Sequence, residues 1–281
     1  MPPSDDVTVV VVSRNRRDDL RRTLPRHEAP VILLDNGSTD GTVPAVRSGW
    51  PATTIVPLGD NRGAPARNVG VRLAPTPYVA FADDDSWWAP GSLARAVALL
   101  DAHPRAGLLA ARVLVGPDQL EDPIGAVMAE APLGREADLP GPSVLGFLAC
   151  AAVVRRSAFL AVDGFDDVVF FGGEEERVAL DLAAAGWGLA YVPELVVHHH
   201  PSASRAPRQR AVQQVRNRVL VAVQRRPAGV VVGTVVHAAR SGPVGRAGVR
   251  AAVPRLPRAL RARRRLPPAV EAARRSLDRP G

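Results

Sequence analysis

A chain of 281 residues has room for one substantial α/β domain with an appendage, or for two small domains, which excludes a bare peptide module. Hydrophobic residues at 46% and charged residues at 23% are ordinary globular values and exclude wholesale disorder. The formal charge of +8 arises from 36 basic against 28 acidic residues, and every basic one is arginine. Without a lysine for the β/γ-phosphates, a P-loop nucleotidase is excluded too.

The acidic start, with Asp5 and Asp6, lacks the basic flank of a secretory signal, and the apolar run at 7–12 is too short for its core. A cytoplasmic location is expected. The β-branched run at 7–12 predicts a strand buried on both faces. A helix is expected at 16–24, and a second strand at 31–34 stops abruptly at Asp35-Asn36-Gly37-Ser38. The alternation continues with a strand at 53–56, a helix at 64–74, a strand at 78–82 and a helix at 93–102. This pattern predicts an α/β fold with a mostly parallel sheet, whose ligands bind beyond the carboxyl ends of the strands. Those ends are all polar: Ser13-Arg14-Asn15-Arg16, then 35–41, then Gly59-Asp60-Asn61-Arg62-Gly63, then Asp83-Asp84-Asp85. No G-x-G-x-x-G follows the first strand, so a Rossmann dinucleotide fingerprint is absent.

The charge divides sharply along the chain. Residues 1–204 carry 17 arginines and 26 acids, net −9; residues 205–281 carry 19 arginines and 2 acids, net +17. A domain at 1–204 and an Arg-rich extension at 205–281, helical and partly disordered, are expected. In the extension, Pro227, Pro243, Pro254, Pro257, Pro267 and Pro268 break any long helix. Val212, Val215, Val219, Ala222 and Val223 fall on one helical face, with Arg208, Arg216, Arg218, Arg225 and Arg226 around the rest. Three readings fit this basic helix: a solvated helix packing its stripe on the domain, attachment to an anionic membrane surface, or nucleic-acid binding. The third is disfavoured because 205–281 has no Phe, Tyr or Trp on which bases could stack. The apolar stretch at 228–239 is interrupted by Gly233, Thr234 and His237 and falls short of the ~20 residues of a spanning helix. Cys150 is the single cysteine, so neither an intrachain disulfide nor a cysteine zinc site can form.

Three carboxylates leaving a buried strand at Asp83-Asp84-Asp85 repel one another unless a cation neutralises them. Hard oxygen ligands suit Mg²⁺ or Mn²⁺, with substrate phosphates completing the shell. The bland alternative is an acidic cap for the helix starting near Pro90, which accounts for one aspartate but poorly for three. Gly37 and Asp40 suit a tight turn and a helix cap, whereas Asp35 ends its strand and can accept from a base N–H or a ribose hydroxyl. Glu174-Glu175-Glu176 could be an acid-rich helix start. In His198-His199-His200, strand alternation lets at most two side chains look into one site.

Together, the strand-1 run with Ser13-Arg14-Asn15-Arg16, Asp35-Asn36-Gly37-Ser38-Thr39-Asp40-Gly41, Asn61-Arg62-Gly63 with Arg67-Asn68-Val69-Gly70, and Phe81-Ala82-Asp83-Asp84-Asp85 resemble, in order and spacing, the family 2 glycosyltransferases of GT-A fold. The likeness extends over 7–204. It includes Val153-Val154-Arg155-Arg156, Val162-Asp163-Gly164-Phe165-Asp166, Phe171-Gly172-Gly173-Glu174-Glu175-Glu176 with Ala185-Gly186-Trp187, and Val197-His198-His199-His200-Pro201-Ser202. The resemblance implies that Asp35 contacts the nucleotide base in a pocket lined by Ser13 and Asn15. It also implies that Asp83 reaches the ribose, with Arg67 and Asp84 on the same nucleotide-sugar side. Asp85 would ligate the metal, with His198 or His199 touching metal or diphosphate, and Glu175, or failing it Glu174, would be the base. Two positions depart from the family: Arg14 stands where an aromatic is common, and Arg177 replaces an acid after the glutamate pair.

The function so implied is inverting transfer of a sugar from a nucleoside-diphosphate sugar to a hydroxyl acceptor, such as a lipid-linked or cell-envelope glycan at the inner membrane surface. Two alternatives stand beside it. One is a sugar-phosphate nucleotidyltransferase, although 13–16 lacks the glycine its phosphate loop needs. The other is a non-catalytic protein that binds membrane or nucleic acid through its basic tail.

Overall fold

In the computed structural model, which describes residues 5–201 and 207–278, the alternation closes into one mixed sheet. Strands β1 (Val7–Ser13), β2 (Val31–Asp35), β3 (Thr54–Pro57) and β4 (Tyr78–Asp83) run parallel, in the order β3-β2-β1-β4. Beyond β4 come β8 (Ala152–Arg155), β6 (Ala106–Val115), β9 (Gly188–His199) and β5 (Ser86–Trp88), with the short β7 (Leu120–Glu121) on β6. β8 is antiparallel to both its neighbours, β9 is parallel to β6, and β5 is antiparallel to β9.

Register sets up the site. Ser13 pairs with Asp35 on one side of β1, and Val12 pairs with Asp83 on the other, so the last residues of three strands stand in one row. The strands stay in register because both faces of the sheet are buried and a one-residue slip would exchange them. Val9, Val11 and Leu33 face one apolar cluster with Trp88 and Leu100. Val10, Leu34 and Phe81 face the other, with Phe159 and Leu182.

Helices α1 (Arg17–Thr23), α2 (Thr42–Gly49), α3 (Ala66–Leu73), α4 (Ser92–Ala102), α5 (Ile124–Ala129), α6 (Arg156–Ala161) and α7 (Glu174–Ala184) connect the strands. Asp40 accepts from Thr42 N (3.0 Å) and from Arg17 N (3.2 Å), so one carboxylate serves the starts of both α1 and α2. The Asp83-Asp84-Asp85 run leads into β5 and not into α4, which starts only at Ser92, so the aspartates are not a helix cap. α3 lies unusually close to the sheet at Gly70, where a Cβ would sit 2.5 Å from Val10 Cγ1 and 2.8 Å from Leu34 Cδ2.

The C-terminal residues fold into α8 (Pro207–Arg225), α9 (Ala228–Arg240), α10 (Gly242–Ala252), α11 (Leu256–Arg261) and α12 (Pro268–Leu277). The expected boundary at 204/205 lies outside the described residues, as does Ser202. The prolines that break the segment sit where helices begin: Pro227 and Pro267 precede α9 and α12, while Pro243 and Pro257 occupy the first turns of α10 and α11. The arginines along and just after α8 are not simply solvated, in contrast to the sequence reading. Arg216, Arg225 and Arg226 are buried. Arg225 grips Asp181 of α7 with two nitrogens, and Arg226 pairs with Glu271 (2.8 Å) and Asp278 (2.8 Å). These carboxylates compensate Arg225 and Arg226, Arg216 donates to Asn217 Oδ1 (2.8 Å) and Val169 O (3.1 Å), and Val219, Leu220 and Val223 pack on Val168 beside them. No described helix is long and apolar enough to cross a membrane.

Gly70→Val should overpack the interface between α3 and the sheet and cost about 1–3 kcal/mol. A lower urea midpoint at unchanged slope is the expected result of equilibrium unfolding.

Candidate active site

The loops after β1 and β2 are laced together by short side chains. Asn15, at φ 55°, accepts from Thr39 N (2.7 Å), while its own N–H donates to Ser38 Oγ (2.9 Å). Asp35 is buried; its Oδ2 accepts from Ser38 N (3.1 Å) and its Oδ1 has no partner. The Ser13 hydroxyl is also buried without a partner of hydrogen-bond geometry, though it lies near enough to Asp84 to favour that carboxylate. Polar atoms left unmade at the ends of adjacent strands carry a desolvation cost that a bound ligand can relieve. Ser13, Asn15 and Asp35 are therefore brought together at the carboxyl ends of β1 and β2.

The next loop is held by Asn36, which accepts from Arg62 N (3.0 Å) and donates to Gly63 O (3.2 Å). Gly63 in turn lies against Phe170, where a Cβ would meet the carbonyl at 2.6 Å. In the first turn of α3, Arg67 is buried and donates to Asp83. Burial disfavours its charge, but Asp83, Glu174 and Glu175 together hold its pKa above the ordinary value. Asn68 clamps Phe165 from both sides, accepting from its N–H (2.9 Å) and donating to its carbonyl (2.7 Å). The sequence supplied these asparagines within its motifs, but their roles depend on loops distant in the chain.

Asp83, Asp84 and Asp85 turn from β4 into β5. Burial, then Asp85 and Asp83, push the Asp84 carboxyl up to about 8. His199 Nε2 lies 3.3 Å from Asp85 Oδ1, and despite burial, which opposes it, that carboxylate raises the imidazole pKa. His198 does not join them: pairing of β5 with β9 sets it opposite Trp87, against which it stacks at 5.2 Å between centroids. Arg26 lies over the same indole, 4.1 Å from its centroid. Among the described residues, no three His, Cys, Asp or Glu side chains gather tightly enough to hold a metal alone. The donor set of Asp85 and His199, with Asp83 and Asp84 crowding negative charge beside them, nonetheless fits a hard divalent cation that draws its remaining ligands from phosphate and water.

Across the crevice, α7 opens with the three glutamates, and each has a different environment. Glu174 is buried with Oε2 unpartnered, and burial followed by the neighbouring Glu175 drives its pKa up. Glu175 is only partly enclosed by surface area, and burial raises its pKa as well. Glu176 turns away to Arg274 of α12 (2.8 Å). Arg177 faces away from the crevice: it donates to Gly164 O (2.9 Å) and pairs with Asp181 (3.1 Å) and Asp166 (3.6 Å). Arg14 is exposed.

The loop before α7 is held from outside the sheet. Gly172 and Gly173 have φ of 89° and 91°, a backbone region that glycine adopts without strain. Asn217 of α8 is fully buried and donates to both Phe171 O (2.7 Å) and Gly172 O (2.7 Å). No local pattern marks Asn217; only the docking of α8 gives it this role.

Comparison with known proteins decides the family. Residues 8–162 match the family described as Glycosyl transferase family 2. The chain belongs to glycosyltransferase family 2. It is 32% identical over 249 residues to the N-acetylglucosaminyl-diphospho-decaprenol L-rhamnosyltransferase of Mycobacterium tuberculosis, covering 72% of this chain and 78% of that protein. It is also 32% identical over 211 residues to the pre-mycofactocin glycosyltransferase of the same organism, covering 71% of this chain and 44% of that protein. Among solved structures, the mannosyltransferase PcManGT from Pyrobaculum calidifontis, in complex with GDP-Man and Mn²⁺, aligns over 100% of this chain and 77% of its own, with a TM-score of 0.60 at 24% identity. S. aureus TarS 1-349 with UDP-GlcNAc aligns over 96% and 91%, with a TM-score of 0.58 at 14% identity. The fold is GT-A, and this family 2 protein is a glycosyltransferase.

Because Glu174 is protonated more readily folded than unfolded, its contribution to stability is full below its ordinary pKa of 4.5 and is lost as pH rises through the raised folded value. Glu174→Gln, which has no proton to lose, should flatten the fall of Tm between acid and mildly alkaline pH. An unchanged slope in melting curves taken across that range would contradict the assignment.

Proposed function

We propose that this glycosyltransferase moves a sugar, with inversion and with help from a divalent cation, from a nucleoside-diphosphate sugar to a hydroxyl of a lipid-linked glycan. The observation that carries this reading is the facing of two carboxylate groups across one crevice, Asp83 to Asp85 at the end of β4 and Glu174-Glu175 at the start of α7, with Arg67 between them.

Asp35, Ser13 and Asn15 receive the nucleoside, and the unpartnered Asp35 Oδ1 is placed to accept from it. Asp83 reaches the ribose while held by Arg67. Asp85 and His199 would hold Mg²⁺ or Mn²⁺, and the cation would supply positive charge against the negative charge of the departing diphosphate. Glu175 takes the proton of the acceptor hydroxyl as its oxygen attacks the anomeric carbon and the bond to the diphosphate breaks. Of the two glutamates, Glu175 keeps the accessible surface that an acceptor needs, whereas Glu174 is closed off. The raised pKa of Glu175 strengthens it as a base at neutral pH. No covalent sugar intermediate is needed, because the acceptor oxygen attacks the anomeric carbon as the bond to the diphosphate breaks.

The lipid-linked acceptor follows the rhamnosyltransferase relative, whose name gives a diphospho-decaprenol substrate. A chain acting on such an acceptor works at the cytoplasmic face of a membrane, and exposed arginines such as Arg240, Arg246 and Arg250 suit an anionic surface there. Nucleic acid is not part of this reading.

Glu175→Gln should lower kcat by about 10²–10⁴ with little change in donor binding. In the wild type, kcat should fall as pH drops through the raised pKa of Glu175, placing the acid limb above the ordinary carboxylate range. In thermal-shift titrations, one of UDP, GDP, dTDP or CDP should raise Tm in the presence of Mn²⁺, and Asp85→Ala should abolish that rise. Protection that ignores both Mn²⁺ and Asp85 would refute the metal assignment.

A further inference from the structure

A cavity of about 760 Å³ opens between α8, α9, α12 and the first turn of α7. Glu176, the residue after Glu175, lines it, and so does Arg218, the residue after the Asn217 that ties α8 to Phe171 and Gly172. Its walls are of two kinds. Val215, Ala222, Val230, Ala238 and Leu277 supply an apolar lining. Arg218, Arg226 and Arg274 supply cations, of which two are matched: Arg226 by Glu271 and Asp278, and Arg274 by Glu176 and Asp278. Arg218 is exposed and pairs with no carboxylate among the described residues.

We infer that this groove holds the diphosphate and the first isoprenoid units of a prenyl-diphosphate-linked acceptor, with Arg218 as the anion contact. The inference rests on the lipid-linked acceptor proposed above and assigns it a location. In such an acceptor the attacking hydroxyl and the diphosphate are separated by one sugar, and the groove begins within the same helical turn as Glu175. An anion paired with Arg218 gains a charge-assisted contact without displacing an existing carboxylate. The adjoining chain meets Val215, Val230 and Ala238 in place of water. The direction of exit is also marked. Val230, Thr234 and Ala238 of α9 face the groove, while Val232 (62% exposed) and Val236 (39% exposed) leave apolar surface on the outer side of the same helix.

The test uses the full chain with farnesyl diphosphate as probe, read by thermal shift, beside transfer assays on a prenyl-diphosphate-linked sugar. Farnesyl diphosphate should raise Tm more than inorganic pyrophosphate or farnesol does, and Arg218→Glu should remove that gain. Nucleotide protection with Mn²⁺ should persist in Arg218→Glu, because the donor crevice is separate. KM for the lipid-linked acceptor should rise about ten- to hundredfold in this variant, as expected for loss of a hydrogen bond to a charged group. Thr234→Trp, which fills the groove without touching charge, should raise the same KM. If pyrophosphate protects as well as farnesyl diphosphate, or if protection survives Arg218→Glu, the groove is not the acceptor site. Should wild type transfer sugar and Glu175→Gln fail to do so while both groove variants keep the wild-type KM, this inference falls and the catalytic reading stands.

Discussion

One buried guanidinium holds the two sides of the crevice together. Arg67 is 4% exposed, donates to Asp83 at the end of β4, and lies within the field of Glu174 and Glu175 at the start of α7. Removing a charge from water is costly and is tolerated only when opposite charges surround it. Here the surrounding charges come from segments about a hundred residues apart in sequence. The carboxylates at the end of β4 and those at the start of α7 thus share a counter-charge, and neither group can be altered without changing the balance at the other.

That arrangement needs α7 to be held firmly, and the C-terminal helices contribute to this. Asn217 fixes the two carbonyls ahead of Glu174, Arg225 grips Asp181 midway along α7, and Arg274 draws Glu176 aside. The basic C-terminal segment therefore spends several of its arginines on carboxylates of the acidic domain. Arg216, directed at Val169 O (3.1 Å), extends the same contact to the loop that supports Gly63. The charge asymmetry along the sequence is in part an internal complementarity. The arginines left over, such as Arg218 and Arg246, remain to meet something outside the protein.

Much of the fold was legible because its signals are local. The continuous β-branched run of β1, the polar strand ends and the prolines that interrupt the C-terminal segment are all properties of short stretches, and the structure places the predicted strands and helices within a residue or two of expectation. The gathering of Ser13, Asp35 and Asp83 was legible for the same reason, since each ends a strand and parallel register puts strand ends in one row. His198 was not separable from His199 without knowing that β5 returns along β9 and sets Trp87 opposite it. Nor could the three glutamates be told apart, because their differences come from Arg67, Asn217 and Arg274, which reach them from other parts of the fold.

The sequence by itself determined the alternating elements and the residue types gathered at the strand ends, because hydrophobic period and turn chemistry act between near neighbours, and the order of its motifs carried the resemblance to the family. Tertiary structure alone decided which carboxylate stays accessible, which histidine meets Asp85, and which arginines are already neutralised. Those outcomes depend on burial and on electrostatic partners many residues away, and both exist only once the chain has closed on itself.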